Sequence, residues 1–233
     1  MRTLVIIPAR SGSKGLPGKN IRPLDKIPLL HYTIKTAKEV FDQEDICVST
    51  DGVEIKECAE NAGLHVPFMR PLELSGDKSG TYEVIMHALQ YYQSIGRNYD
   101  RVLLMQPTSP FRKASFITEM EKLYTPGIDM VVSVGLTHHN PYFSLFEESS
   151  EGFLVKSKDG FFENRQEVPK TYFYNGSLYL LNCESLRKSK IAGFKKVVKF
   201  VMDEIYCVDI DTAFDWMIAE SIVEKKLYTY EHN

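Results

Sequence analysis

Apolar and polar positions follow two alternating periods along much of the chain. Residues 3–9 form a continuous apolar run, which is typical of a strand buried on both faces. After Pro28 the apolar side chains recur at helical spacing, with Leu30, Ile34 and Ala37 on one face. Strand-like and helix-like stretches then alternate to about residue 134, which predicts a parallel sheet covered by helices on both faces.

The individual elements follow from these periods and from the glycine and proline residues that interrupt them. The predicted strands are residues 3–9, 46–49, 65–68, 101–106, 130–134, 197–201 and 206–210. One predicted helix begins after residue 28, and the others span residues 53–62, 81–94, 116–124 and 212–226. We therefore expect an α/β fold with a Rossmann-like, mostly parallel sheet.

The rhythm changes from about residue 142 to residue 181. Phenylalanine, tyrosine, glutamate and lysine are mixed there, with Gly152, Gly160 and Gly176 as breakers. This pattern predicts β-hairpins inserted into the α/β frame. We take residues 140–182 as the inserted hairpin region of a single domain that spans residues 1–233.

Composition and charge limit the classes of protein that the chain can belong to. It has 233 residues, 43% hydrophobic and 25% charged, which suits one large globular domain. A formal charge of −3 gives no global reason to expect a nucleic-acid partner. No apolar run approaches the roughly 20 residues of a membrane helix, and the beginning lacks the pattern of a signal peptide. We expect a cytoplasmic protein with no membrane association.

The segment after the first predicted strand carries the most informative chemistry. Ligands of open parallel sheets bind outside the carboxyl ends of the strands. Residues 10–20 combine three glycines with three cations, namely Gly12, Gly15 and Gly18 with Arg10, Lys14 and Lys19. Glycine lets main-chain N–H groups approach an anion, so the segment predicts a phosphate site, although a solvated basic turn is the alternative.

The spacing of this segment excludes two common phosphate motifs. A Walker A motif needs Ser or Thr after its Gly-Lys pair and another glycine five positions before the glycine of that pair. Around Gly18 and Lys19 this chain has Asn20 and Ser13 at those places. A G-x-G-x-x-G fingerprint is also missing, which disfavours a dinucleotide dehydrogenase. The four cysteines contain no C-x-x-C pair, so neither a disulfide framework nor a zinc site is indicated.

Five segments, in the right order, resemble the signature of the acylneuraminate cytidylyltransferases. They read IIPARSGSKGLPGKNIRPL, RPLELSGD, LLMQPTSPFR, RQEVPKTYFYNGSLY and VDIDTAFD, and they extend over nearly the whole chain. The resemblance implies that the anomeric hydroxyl of a nonulosonic acid attacks the α-phosphorus of CTP and that pyrophosphate leaves. The enzymes that activate Kdo have a different first loop and fit less well.

The resemblance also implies the roles of individual residues. It assigns catalysis to Arg10, Lys19, Asp209 and Asp211. It assigns nucleotide binding to Arg10, Ser13, Lys14, Lys19, Asn20, Arg70, Asp77 and Thr81. For Asp77 the alternative is a carboxylate in a turn or just before a helix. It assigns binding of the acceptor sugar to Gln106, Arg165, Gln166, Asn175 and Tyr179. Tyr179 could equally be a core residue.

A triphosphate substrate suggests Mg2+, which prefers oxygen ligands and is held by one or two carboxylates with phosphate and water. Asp209 and Asp211 are two apart at the end of a predicted strand, so both carboxylates point to one face. A simple cap for the closing helix is the alternative. Together with the first loop, the pair favours a Mg2+ site.

The family's inserted hairpins pair two subunits, and we therefore expect a homodimer. Where relatives that activate sialic acid tend to have a lysine and an arginine, this chain has Tyr142 or Phe143 and Phe173. This departure leaves the acceptor open and suits legionaminic acid at least as well as N-acetylneuraminic acid. The alternatives are a Kdo-type or pseudaminate acceptor, another nucleotide, and a non-catalytic nucleotide-sugar binding protein.

Overall fold

The computed structural model describes residues 1–12, 15–76, 80–162, 164 and 166–230 of the chain. Its strands are β1 (Thr3–Pro8), β2 (Pro23–Leu24), β3 (Ile27–Pro28), β4 (Ile46–Ser49), β5 (Arg101–Met105), β6 (Met130–Leu136), β7 (Phe146–Glu148), β8 (Leu154–Lys156), β9 (Tyr172–Asn182) and β10 (Val197–Val201). Its helices are α1 (Leu29–Lys38), α2 (Val53–Asn61), α3 (Thr81–Ser94), α4 (Ala114–Leu123), α5 (Cys183–Lys188) and α6 (Ala213–Glu224).

The central sheet has the strand order β10-β6-β9-β5-β1-β4. At one end of this order, Val5 of β1 is in register with Ile46 of the edge strand β4 and with Leu103 of β5, and both pairings are parallel. Strand β9 runs antiparallel between β5 and β6. The predicted α/β fold with a mostly parallel sheet is therefore confirmed.

Helices cover both faces of the sheet, which explains the continuous apolar run of β1. Val5 and Ile7 pack into a core cluster that includes residues of α1, α2 and α4. Leu4 and Ile6 point to the opposite face and pack with Ile85 of α3. Because successive strand residues alternate between the faces, a strand covered on both faces needs apolar side chains at every position.

A third apolar cluster joins the two ends of the chain. Trp216 of α6 packs with Leu29 and Tyr32 of α1 and with Ile210, which lies just before α6. A capping box begins α6: the Thr212 hydroxyl accepts from the Asp215 main-chain N–H at 3.3 Å, and the Asp215 carboxylate accepts from the Thr212 N–H at 2.7 Å. The cap and the cluster together fix the path of residues 208–212.

Two predicted strands are wrong. Residues 65–68 are not a strand, since the only pairing nearby within the described residues is a bridge between Thr50 and Met69. Residues 206–210 begin in a 3-10 helix, Glu204–Cys207, and continue without a strand partner. The Ile210 N–H donates to the Thr108 carbonyl at 2.8 Å, so its hydrogen bond goes to a loop rather than to a neighbouring strand.

The predicted hairpin region divides into two parts. Strands β7 and β8 pair antiparallel as a separate two-stranded sheet. The last part of residues 140–182 is β9, which belongs to the central sheet. Its outer end is exposed and aromatic, at Tyr172 and Phe173, whereas its inner end is buried. No helix in the described residues has the length and apolarity needed to cross a membrane.

Candidate active site

A cavity of about 380 Å3 opens at the carboxyl edge of the parallel strands. Pro8 ends β1, Gln106 follows β5, and Arg70 follows the Thr50–Met69 bridge beyond β4. The cavity is lined by many of the residues that the sequence predicts, namely Arg10, Lys19, Asn20, Arg70, Thr81, Gln106, Asp209 and Asp211. Residues up to 203 positions apart in the sequence, 211 minus 8, therefore line one cavity.

The loop after β1 lies directly against the C-terminal carboxylate segment. The Lys19 ammonium group donates at 2.7 Å to the Ile210 carbonyl and at 2.7 Å to an Asp211 carboxylate oxygen. Lys19 is buried, whereas Asp211 is exposed. A β-carbon at Gly15 would overlap the main-chain oxygen of Asp211, so only glycine permits this approach.

Asn20 connects the loop to α1. Its side-chain amide donates to the Arg10 carbonyl at 3.0 Å, and its own carbonyl accepts from the Leu30 N–H at 2.8 Å. Asn20 is buried. Because a buried polar group must find partners, these bonds fix the main chain around Arg10 at the edge of the cavity.

Arg70 supplies a second buried cation. Its guanidinium donates to the Ser49 hydroxyl at 3.0 Å and also to the Ser49 carbonyl. Burial lowers the pKa of Arg70, and the nearby Asp51 carboxylate opposes this shift. Asp51 also accepts from the Ser11 N–H at 2.9 Å, which ties the loop after β1 to the loop after β4. Arg70 thus presents a fixed positive charge.

The N-terminus of α3 faces the same cavity through Gly80 and Thr81. The N-cap residue, Gly80, supplies no capping side chain, but the Glu83 carboxylate accepts hydrogen bonds from the main-chain N–H groups of Gly80 and Glu83. The other amide groups of the first turn and the helix dipole favour a negatively charged group.

Asp209 is the half-buried member of the carboxylate pair. Burial raises its pKa, and the neighbouring Asp211 acts in the same direction, against the Thr108 hydrogen bond and the Lys19 charge. Gly176 of β9 has a φ of +75°, and a β-carbon there would lie 2.8 Å from an Asp209 carboxylate oxygen. Glycine at this position therefore leaves the room that Asp209 occupies.

The carboxylate pair fits the chemistry of Mg2+. No group of three or more His, Cys, Asp or Glu side chains in the described part of the chain could hold a metal. Two carboxylates beside a cavity that carries cations leave further positions for phosphate and water, which is the usual environment of Mg2+. The mutual repulsion that helps to raise the pKa of Asp209 is the kind that a bound cation relieves.

The loop after β5 contains residues whose role the sequence analysis missed. Thr108 lines the cavity, and Ser109 donates to an Asp209 carboxylate oxygen at 3.4 Å. Arg112 is buried and donates to the Gln106 carbonyl at 2.5 Å. All three stand in the LLMQPTSPFR segment, so their place in that motif was the available signal.

Not every residue predicted to bind the sugar reaches the cavity. Gln106 lines it, but Asn175 is buried and its amide oxygen accepts from the Ser133 hydroxyl at 2.6 Å. Tyr179 packs against the core, which was the alternative for it. Gln166 lies in an exposed turn and does not line the cavity. The Asn175 side chain thus bonds within the sheet, and its assignment to the sugar stays a prediction.

Four predicted residues, Ser13, Lys14, Asp77 and Arg165, lie outside the residues that the structure describes. Their assignments to the nucleotide and to the sugar stay predictions.

A mostly parallel sheet with cations, helix amides and paired carboxylates at its carboxyl edge defines an α/β nucleotide-binding protein. A sequence profile described as cytidylyltransferase matches residues 4–232. The chain belongs to the cytidylyltransferase family.

Individual relatives agree with this assignment. The chain is 35% identical to a CMP-N,N'-diacetyllegionaminic acid synthase of Legionella pneumophila, over 96% of this chain and 97% of the relative. It is 34% identical to an N-acylneuraminate cytidylyltransferase of Escherichia coli O18:K1:H7, over 100% of this chain and 57% of the relative. These relatives confirm the predicted resemblance to the acylneuraminate cytidylyltransferases.

Solved structures agree on the fold. A CMP:2-keto-3-deoxy-manno-octonic acid synthetase, solved in complex with CTP, superposes with a TM-score of 0.69. The match covers 97% of this chain and 100% of that chain at 13% sequence identity. At this identity the likeness concerns the fold alone.

Proposed function

We propose that the protein transfers CMP from CTP to the anomeric hydroxyl of a nonulosonic acid and releases pyrophosphate. Membership of the cytidylyltransferase family and the names of the relatives support this reaction. The observation that carries the proposal is the contact between Lys19 and Asp211. It brings the cationic loop and the carboxylate pair to one cavity, where a single nucleotide can reach both.

Nucleotidyl transfer depends mainly on positioning and on stabilising negative charge. In our proposal Arg10 and Lys19 face the phosphates and stabilise the charge that develops on them. Asn20, Arg70 and Thr81 hold the nucleotide. Gln106 orients the acceptor from the end of β5.

In the described structure Lys19 is paired with Asp211, so its charge is partly neutralised before substrate binds. Asp209 and Asp211 would hold Mg2+, which would supply positive charge next to the triphosphate. Lys19 would then be free to donate to a phosphate oxygen instead of to Asp211. The main-chain contact with Ile210 keeps its side chain in place during this exchange of partners.

For the acceptor we propose legionaminic acid or N-acetylneuraminic acid, since the relatives above carry both types of name. A cytoplasmic location stays a prediction.

We also propose a homodimer that is formed through the hairpin region and the outer end of β9. Several large apolar side chains are exposed there, including Phe146, Phe153, Leu154, Phe161 and Phe173. A concentration of exposed apolar side chains is typical of a protein–protein interface.

The test is pyrophosphate release by the purified protein with each nucleoside triphosphate in turn and a panel of acceptors. The panel contains N-acetylneuraminic, legionaminic, pseudaminic and Kdo acids, each with and without Mg2+. We expect turnover with CTP and one of the first two acids, dependent on Mg2+. Preference for Kdo or pseudaminic acid would support the alternative acceptors, and CTP binding without turnover would support a binding protein.

A further inference from the structure

Arg112 is a buried cation whose partners are unusual. Its side chain is fully enclosed, and within the described residues it forms no ion pair with a carboxylate. Burial lowers its pKa to about 10, with Tyr228 and Asp209 acting in the opposite direction. A buried charge without a paired carboxylate is unfavourable unless hydrogen bonds compensate for it, so its partners need an explanation.

The Arg112 guanidinium bonds to three separate elements. It donates to the Thr33 hydroxyl of α1 at 3.1 Å and to the Ser177 hydroxyl of β9 at 3.1 Å. It also donates to the Gln106 carbonyl at 2.5 Å and to the Ser109 carbonyl. The first two partners are anchors in the scaffold, and the last two belong to the loop that lines the cavity.

That loop touches the carboxylate segment at several points, one of them a hydrogen bond between the Thr108 side chain and Asp209. The Ser109 hydroxyl donates to Asp209 at 3.4 Å, and the Thr108 carbonyl accepts from the Ile210 N–H at 2.8 Å. The conformation of residues 106–109 therefore sets the position of Gln106 and that of Asp209 relative to it. None of these four hydrogen bonds of Arg112 goes to the described residues of the loop after β1 or to Arg70.

We propose that Arg112 is a positioning residue that holds the loop of residues 106–109 against the scaffold, so that Gln106 is placed to orient the acceptor relative to Asp209, which would hold Mg2+. The inference rests on the proposed function, because it assigns Arg112 to the acceptor step of that reaction. A planar guanidinium suits the task, since its N–H groups can bond to several oxygens in one plane. The ammonium group of a lysine cannot reach all four partners.

The test compares Arg112→Lys with Arg101→Lys. Both arginines are buried; Arg101 begins β5, and Arg112 follows the loop after this strand. Arg101 bonds to Glu121 and Thr3, far from the cavity. For Arg112→Lys we expect kcat to fall or KM for the acid to rise by about tenfold or more, with unchanged affinity for CTP measured without Mg2+. Arg101→Lys should leave all three values unchanged.

Hydrogen–deuterium exchange gives a readout that does not need turnover. In Arg112→Lys the amides between residues 106 and 111 should exchange faster, while those of α3 keep their rate. In Arg101→Lys the same amides should exchange as in the wild type. If Arg112→Lys folds too poorly for kinetics, Thr33→Val removes one scaffold anchor and should accelerate exchange of the same amides.

Two results would overturn the inference. One is wild-type kinetics and wild-type exchange at residues 106–111 in Arg112→Lys. The other is a loss of CTP affinity that matches the loss of kcat, since this would indicate general damage to the fold. Failure of the wild-type protein to release pyrophosphate would instead reject the proposed function, and faster exchange in Arg112→Lys would still identify the loop as held by Arg112.

Discussion

The cavity and the hairpin region both depart from the usual rule that polar side chains are exposed and apolar side chains are buried, and each region departs from a different half of it. At the cavity Lys19, Asn20 and Arg70 are polar but buried, and each has hydrogen-bond partners. In the hairpin region Phe153 and Phe161 are apolar but exposed. Buried polar groups with fixed partners present charge at defined positions, whereas exposed apolar groups offer area. The first region therefore suits a small charged ligand, and the second suits a protein partner.

Substitution within the carboxylate pair should have the largest effect on kcat. Such a loss would distinguish a site for the reacting phosphates from a cleft that is merely polar. We expect Asp211→Asn to lower kcat by about 100-fold or more at saturating Mg2+, since it removes a charged group next to the reacting phosphates. Pyrophosphate release measures this. Asp203→Asn, an exposed residue of the same segment, is the control and should keep kcat. Full turnover by Asp211→Asn would exclude that residue from the reaction.

Lys19→Met tests the buried cation that pairs with Asp211. Loss of a hydrogen bond to a charged group is worth about 2 kcal/mol, so kcat/KM for CTP should fall by roughly 30-fold. Lys188→Met, at an exposed position at the end of α5, is the matched control. Equal kinetics for the two variants would show that Lys19 serves only the ion pair with Asp211.

The hairpin region is tested by Phe153→Ser and Phe161→Ser. If these side chains are buried between two subunits, each substitution should weaken association by about tenfold or more, given about 1.5 to 3 kcal/mol for a buried apolar side chain. Sedimentation equilibrium measures the change. Ile95→Ser, equally apolar and exposed after α3, should leave the oligomeric state unchanged. A wild-type monomer at high concentration would reject the dimer.

The smallest expected effect concerns stability and pH. Burial raises the pKa of Asp209 in the folded protein above its value in the unfolded chain. Its contribution to stability is therefore complete below the unfolded pKa, about 4, and is lost as the pH rises through the folded pKa. Asp209→Asn avoids this loss, so at pH 7 we expect its Tm to exceed that of the wild type.

The same difference in Tm should shrink as the pH falls through the raised pKa of folded Asp209, and it should vanish below about 4, where Asp209 is neutral in both the folded and the unfolded chain. Thermal unfolding followed by circular dichroism at several pH values measures it. A lower Tm for Asp209→Asn at pH 7 would show that the ionised carboxylate is stabilised by its neighbours rather than opposed by burial.

The sequence predicted the frame of the fold well, for physical reasons. Strands buried on both faces, such as β1, and helices with one apolar face, such as α1, carry their periods in the sequence. The antiparallel strand β9 was missed because its exposed, aromatic beginning follows the hairpin without a break. Residues 206–210 were misread because an apolar segment can bond to a loop as well as to a strand.

The candidate site was predictable where motif and charge coincide, as at Lys19, Arg70 and Asp211. The contacts of Asn175 were not predictable, because its motif alone does not reveal that its amide bonds inside the sheet. Arg112 was not assigned either, since only the folded structure shows that its guanidinium connects α1, β9 and the loop after β5.

The central claim is that one nucleotide is shared by the loop after β1 and the carboxylates before α6. A crystal structure of the protein with CTP and Mg2+ tests it most directly. We predict phosphates within hydrogen-bond distance of Lys19 and a metal ion between those phosphates and Asp209 and Asp211. A nucleotide bound elsewhere, with Lys19 still paired to Asp211, would contradict the account.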